Sequence, residues 1–234
     1  MRITPLGDKA LRVQLGEKID EATHARVLSA CAAIEGASLP GVRELVPAYT
    51  TVTIHYDPAA VARAGAPVDD LAGWLGLRVA QALPGASKAE VATRPVVEVP
   101  VCYGGEFGPD LGRVAAQAGL SPEEVVERHA KAEYWVALVG FSPGFPYLIG
   151  LPGELATPRL ARPRTSAPAG SVGIAGGQTG IYPFATPGGW NLIGRAALRL
   201  FDPHADPPAR LRAGDRVKFR AITAAEFEQL NAES

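Results

Sequence analysis

The amino-acid sequence predicts a small α+β unit followed by a mainly β unit, a barrel or a sandwich. Three observations predict this. Alternating strand patterns and helically spaced apolar residues share residues 1–83. A small, polar, proline-bounded stretch follows, Pro84-Gly-Ala-Ser-Lys-Ala-Glu-Val-Ala-Thr-Arg-Pro95, which is the best linker candidate. From Phe141 to Arg195 the chain is then crowded with Gly and Pro while Val, Ile, Tyr and Phe stay interspersed. That segment is too interrupted for helix and too apolar for a disordered tail, so short strands with tight turns are expected. The expected boundaries are 1–83, a linker over 84–95, and 96–234.

In the first unit, Leu11-Arg-Val-Gln-Leu15 alternates as a strand. Asp20 then caps a helix whose Val27, Leu28, Cys31 and Ile34 recur at helical spacing, which makes Cys31 a core residue rather than a reactive thiol. Thr51-Val-Thr-Ile-His-Tyr56 places Val52, Ile54 and Tyr56 on one strand face and His55 on the other, and Asp57-Pro58 ends it. A second helix is expected from Val68 to Leu83.

In the second unit, Val96 to Cys102 is a strand and two short helices follow. The later helix has Ser121 as N-cap, Pro122 at its first position and Glu124 completing a capping box, with Val125, Val126 and His129 on one face. An apolar strand around Val136 comes next. At the end, Arg210 to Asp215 makes a turn, Arg216 to Ile222 a strand, and Thr223 with Glu226 a capping box for a last helix.

With 47% hydrophobic and 20% charged residues, 234 residues can bury a substantial core. The net charge of −1, from 23 basic and 24 acidic side chains, implies no overall attraction to nucleic acid or anionic membrane. The first residues carry no signal-peptide pattern, and no run of about 18 apolar residues occurs. Cys31 and Cys102 form no metal or redox spacing. A cytoplasmic, reduced, soluble protein is expected.

Gly140-Phe-Ser-Pro-Gly144 fits G-x-S-x-G, the nucleophile elbow, and follows a strand. The elbow is nevertheless excluded as a catalytic serine. Its oxyanion hole needs the N–H of the residue after the serine, and Pro143 has none. Pro146 obstructs any following helix, although His204 beside Asp202 and Asp206 supplies the chain order of a triad. The loop is expected to form a rigid apolar wall.

Three other features can bind a ligand. Arg159, Arg162 and Arg164 lie within six positions, each a planar fork suited to carboxylate or phosphate, or else a solvated basic loop. Ala169 to Gly180 holds five glycines, whose backbone N–H groups can nest an anion or simply serve turns and bulges. Tyr147, Tyr182 and Trp190 combine apolar bodies with polar tips and suit a pocket or a core. Between Lys131 and Pro203 there is no His, Cys or Lys, and Glu133 and Glu154 form no acid/base pair. This segment therefore offers binding and orientation, no metal site and no general base; chemistry would need groups from another chain.

These residues resemble a bacterial family, the 5-oxoprolinase B subunits, also described as allophanate hydrolase subunit 1 or the KipI family. The likeness runs through His129, Tyr134, Val136 and Gly-Phe-x-Pro-Gly-Phe-Pro-Tyr-Leu148. It continues through Pro158-Arg159, Pro163-Arg164, Pro168 to Pro183, Pro187-Gly-Gly-Trp190 and Ile193-Gly-Arg195. Weaker similarity covers Gly7-Asp8, Gly41 to Pro47 and Tyr56-Asp-Pro58, so it spans nearly the whole chain. Ala196-Ala197 departs from the Thr-Pro common in the family.

The resemblance implies a cyclophilin-like β-barrel after a small α+β domain. It also implies ATP-dependent opening of 5-oxoproline to glutamate, with a hydantoinase-like A component and a carboxyltransferase-like C component as partners. ATP would be bound within that complex. Resemblance and residues together suggest that Arg159 and Arg164 pair with an anionic group of a small carboxylate substrate. Gln178, Thr179 and the Gly176–Gly177 amides would complete the cradle together with Tyr182. Phe145, Tyr147 and Trp190 would wall it, with His129 and Arg195 as further members. Two alternatives remain from the same resemblance: a regulatory module that inhibits a histidine kinase, which would expose an apolar patch on the barrel, and a subunit processing allophanate or urea-like amides.

Overall fold

The computed structural model describes residues 1–83 and 96–232. The chain forms two compact units, Met1–Thr93 and Arg94–Ser234. The linker expected over 84–95 lies outside the described residues.

The first unit contains β1 (Arg2–Pro5), β2 (Ala10–Gln14), α1 (Glu21–Gly36), β3 (Val42–Pro47), β4 (Thr51–Tyr56), α2 (Pro58–Arg63) and α3 (Leu71–Ala82). Its strands make one antiparallel sheet in the order β1-β2-β4-β3. Alternation sends Leu11, Val13, Val52, Ile54 and Tyr56 into a core with Val27, Ile34, Leu75 and Val79, and leaves His55 exposed. Asp20 caps α1 by accepting the Thr23 N–H at 2.8 Å. Burial pushes the Cys31 thiol up to about 12, as its place in the core requires.

Two sequence expectations change here. Asp57-Pro58 starts a helix as well as ending a strand, because the Asp57 carboxylate accepts the Ala59 and Ala60 N–H groups at 3.0 and 3.1 Å. The next helix begins at Leu71 and not at Val68, because Asp70 supplies the cap through the Gly73 N–H at 3.0 Å. The edge strands β1 and β3 were not expected from the sequence. Neither shows a clean alternation of buried and exposed residues.

The second unit runs β5 (Val96–Tyr103), α4 (Leu111–Ala118), α5 (Pro122–Lys131), β6 (Glu133–Val139), β7 (Pro146–Ile149), β8 (Arg164–Ala167), β9 (Ser171–Ala175), β10 (Gln178–Ile181), β11 (Thr186–Gly188), β12 (Asn191–Ala196), β13 (Arg216–Ile222) and α6 (Ala224–Ala232). Seven strands close into a barrel in the order β10-β7-β6-β13-β5-β12-β9, while β8 and β11 pair separately. Of the two shapes left open by the Gly- and Pro-rich segment, the barrel is the one that forms. Its interior is packed with Val99, Val101, Tyr134, Val136, Leu148, Ile174, Ile181, Ile193, Val217 and Phe219.

The capping box at α5 forms with both of its bonds, 3.2 Å from Glu124 N–H to Ser121 and 2.8 Å from Ser121 N–H to Glu124. The second expected box forms only by half. Glu226 N–H donates to Thr223 at 3.2 Å, but the Glu226 carboxylate turns to Arg220 at 2.8 Å. A guanidinium offers a charge-assisted bond in place of one to a neutral backbone amide.

Gly108 lies before α4, where a Cβ would run into the Ile193 carbonyl on β12, a backbone atom that cannot swing away. Gly112, inside α4, has nothing within 4 Å of such a Cβ. Gly108→Ala is expected to destabilise the protein by about 1–3 kcal/mol through overpacking. Gly112→Ala should instead stabilise it by up to about 1 kcal/mol through helix propensity. Urea unfolding of both variants checks the opposite signs.

Candidate functional site

Beside the main barrel core lies a second apolar cluster of Phe145, Ala167, Ala175, Tyr182, Trp190 and Leu192, with Tyr147 packed against it. Phe145 meets Tyr182 edge-on with ring centroids 5.1 Å apart, and Trp190 likewise at 5.5 Å. Tyr147 lies 4.8 Å from Phe145 and 5.8 Å from Trp190. Edge-to-face contacts set the positive rim of one ring against the negative face of another, which fixes the rings at large angles and leaves a hollow among them. The hollow has a volume of about 240 Å³ and is lined by Phe141, Phe145, Tyr147, Tyr182, Trp190 and Arg159, with Pro163 and residues 187–189 at the end of β11. A side chain at Gly188 would displace Tyr182 from the pocket wall, because a Cβ would meet the Tyr182 hydroxyl.

Arg159 carries the charge of this pocket. Its side chain is exposed, its guanidinium lies 6.0 Å from the Trp190 ring centroid, and it has no carboxylate partner among the described residues. Burial raises the pKa values of Tyr147 and Tyr182, opposed by the nearby Arg159 charge, so both phenols stay neutral at neutral pH. No carboxylate, imidazole, thiol or amine lines the pocket. It can hold an anion with an apolar body, and it has no group that exchanges a proton at neutral pH.

Arg164 has a different role from Arg159. It donates to Asp110 Oδ1 at 2.6 Å and to the Trp190 carbonyl at 3.3 Å. Asp110 is buried, and its other oxygen accepts the Leu192 N–H at 2.7 Å. The Arg164 charge is thereby neutralised, and the pair ties β8 and the start of α4 to the strand that follows Trp190. Asp110 was not anticipated as a member of the site. Its position before a helix suggests only a cap, yet it makes no side-chain cap bond.

The expected glycine cradle does not line the pocket. Gly176 and Gly177 form the turn between β9 and β10, where the Gly176 N–H already donates to the Thr157 carbonyl at 2.7 Å. Gln178 is half-buried at the start of β10. Thr179 is fully buried, and its hydroxyl is used internally. Arg195 sits apart from the pocket with its guanidinium 5.8 Å from the Phe107 ring centroid. With a volume of about 240 Å³ and a single guanidinium in its lining, the pocket does not fit the triphosphate of ATP. Among the described residues no cluster of His, Cys, Asp or Glu can hold a metal ion.

Ser142 makes no hydrogen bond to a histidine. Its hydroxyl is buried without a hydrogen-bond partner, and His204 is exposed. The loop places Phe141 at the pocket in a left-handed backbone conformation, φ 71°, with the residue 66% exposed.

His129 belongs to the barrel interior. Thr179 Oγ1 donates its proton to the Gly173 carbonyl at 3.0 Å, so at 3.1 Å it must accept from His129 Nε2. The imidazole therefore carries its proton on Nε2, and bare Nδ1 accepts from the Tyr103 hydroxyl at 2.8 Å. Phe219 stacks on the ring at 4.5 Å. Burial lowers the pKa to about 3, so the ring is neutral in the folded state. Protons bind the unfolded state preferentially, and this stabilisation is complete above pH about 6.5 and is lost as pH falls toward 3. The stability difference between wild type and His129→Gln should shrink as pH falls from 6.5 to 5, by up to about 1.4 kcal/mol per unit. Urea titrations at several pH values measure it, and a constant difference would mean that His129 is not buried neutral.

The geometry can be set beside known proteins. A family model described as carboxyltransferase domain, subdomain C and D, matches residues 1–211. The 5-oxoprolinase B subunit of Bacillus subtilis (strain 168) is 46% identical over 238 residues, covering 100% of this chain and 98% of that protein. The crystal structure of TTHA0988 is similar with a TM-score of 0.76 and 38% identity, over 92% of this chain and 40% of that one. The K. lactis urea amidolyase, 20% identical, shares the fold with a TM-score of 0.79 over 99% of this chain and 15% of its own length. No described helix is long and apolar enough to cross a membrane. The α+β unit, the closed barrel and the sequence likeness together show that the chain belongs to the family of carboxyltransferase subdomains C and D, alongside the bacterial 5-oxoprolinase B subunits.

Proposed function

We propose that this chain is the B-type subunit of a cytoplasmic, ATP-dependent 5-oxoprolinase that opens 5-oxo-L-proline to L-glutamate. Its partners in this reading are a hydantoinase-like A component and a carboxyltransferase-like C component. One observation carries the reading at the level of chemistry: the unpaired Arg159 guanidinium at a small aromatic pocket that contains no acid or base. 5-Oxoproline is a small five-membered lactam ring bearing one carboxylate. The carboxylate suits the fork of Arg159, and the ring suits the faces and edges of Tyr147, Tyr182 and Trp190.

The pocket is smaller than the roughly 300–1,000 Å³ of sites that enclose drug-sized ligands. A substrate of this size matches it better than a nucleotide does. In this reading the chain binds and orients the lactam, and its partners supply ATP and proton transfer. Arg164 belongs to the site as a strut, through Asp110, and His129 as part of the barrel behind it.

A second reading, a docking module for another protein such as a histidine kinase, is favoured by Phe141, whose exposed ring stands at the pocket in a left-handed conformation. ADP release and glutamate formation, measured with this chain, its two partners, and all three together, separate the two readings. Activity is expected only from the complete set. In that set Arg159→Met should lower kcat/KM for 5-oxoproline by about tenfold or more, the value of a lost charged hydrogen bond. Arg162→Met, which alters an exposed arginine outside the pocket, should leave it unchanged. Equal rates for Arg159→Met and wild type would remove the pocket from the reaction, and failure of the three chains to assemble would favour the docking module.

A further inference from the structure

Asn191 has no catalytic chemistry and is far from Arg159 in sequence, yet one of its three side-chain hydrogen bonds reaches the peptide that leads into Arg159. It is completely buried. Its side-chain amide donates to the Pro158 carbonyl and to the Ile174 carbonyl, each at 3.0 Å. Its side-chain oxygen accepts from Arg113 Nε at 2.9 Å. The donor Arg113 and the two acceptor carbonyls permit only one orientation of the amide.

The Pro158 carbonyl belongs to the peptide that leads into Arg159. On the other side of Arg159, Leu160 N–H donates to the Gly189 carbonyl at 2.8 Å. The backbone of Arg159 is thus held from both sides by the segment 189–191, which also carries Trp190. The arginine side chain itself is exposed and makes no ion pair among the described residues. Its direction therefore depends on where its backbone is anchored. We infer that Asn191 is a positioning residue that sets the Arg159 guanidinium over the aromatic pocket for an incoming carboxylate.

This inference rests on the reading of Arg159 as the substrate's carboxylate partner, and it makes a separable claim about how Arg159 is placed. Asn191→Asp changes one group and almost no volume. It retains an acceptor for Arg113 but sets a carboxylate oxygen against the Pro158 and Ile174 carbonyls, where a donor stood. The Arg159 peptide is then released or pushed away.

The test is a double-mutant cycle in the assembled three-chain enzyme, with KM and kcat for 5-oxoproline read separately. Asn191→Asp is expected to raise KM about tenfold while kcat stays within about threefold. In an Arg159→Met background the same change should alter KM by less than about twofold, because the group it positions is gone. Equal KM effects in both backgrounds, or a loss confined to kcat, would overturn the inference while leaving Arg159 in the site. An unchanged kcat/KM in Arg159→Met alone would instead overturn the reading of the pocket, and the inference with it. Should Asn191→Asp fail to fold, Arg113→Met provides the second arm, since Arg113 is on the exposed side of α4. It removes the donor that fixes the amide, and its smaller rise in KM, about threefold, should likewise vanish without Arg159.

Discussion

The second unit depends on one hydrogen-bonded pair, the parallel ladder between β5 and β13. Around any closed ring of strands the chain direction must return to its starting sense. Each antiparallel neighbour reverses that direction, so antiparallel pairs must be even in number. Seven strands make seven pairs, and the barrel satisfies the rule with six antiparallel pairs and this single parallel one. The parallel pair joins the first and last strands of the unit in seven-residue register, from Arg216 opposite Val96 to Ile222 opposite Cys102. Parallel strands need a long crossover. Here that crossover is residues 104–215, which include every residue of the candidate site.

Closure has a consequence for the strands in the middle. β9 is buried along its whole length and β12 along nearly all of it, because one side faces the barrel interior and the other meets covering structure. Polar groups in such places must be partnered internally. Thr179, His129 and Tyr103 meet this demand inside the barrel, and Asp110, Asn191, Arg113 and Arg164 meet it beside the pocket. The same physical requirement yields a structural relay in one place and a rigid wall for a ligand in the other.

The two arginines of the site illustrate how context assigns roles to identical side chains. Arg164 is half-buried against Asp110, and its charge is used up in holding the fold. Arg159, five residues earlier, is exposed and unpaired above aromatic rings, so its charge is available to a ligand. In the proposed reading, a pocket built this way binds and orients a ligand.

The sequence by itself determined what depends on neighbours in the chain. The α5 capping box, the Asp20 cap, the alternation that buries Val52 and Ile54, and the proline that disqualifies Ser142 were all legible, because each acts over a few residues. The aromatic walls Phe145, Tyr147, Tyr182 and Trp190 were legible as residue types, and family likeness grouped them with Arg159. Only the tertiary structure decided which arginine was free, that the Gly176–Gly177 turn lay away from the pocket, and that His129 was a neutral core group. Those outcomes rest on contacts between residues 54 apart for Arg164 and Asp110, 50 apart for His129 and Thr179, and 78 apart for Arg113 and Asn191. Local pattern carries no information about such distant partners, which meet only when helices, barrel strands and the β8–β11 pair pack together.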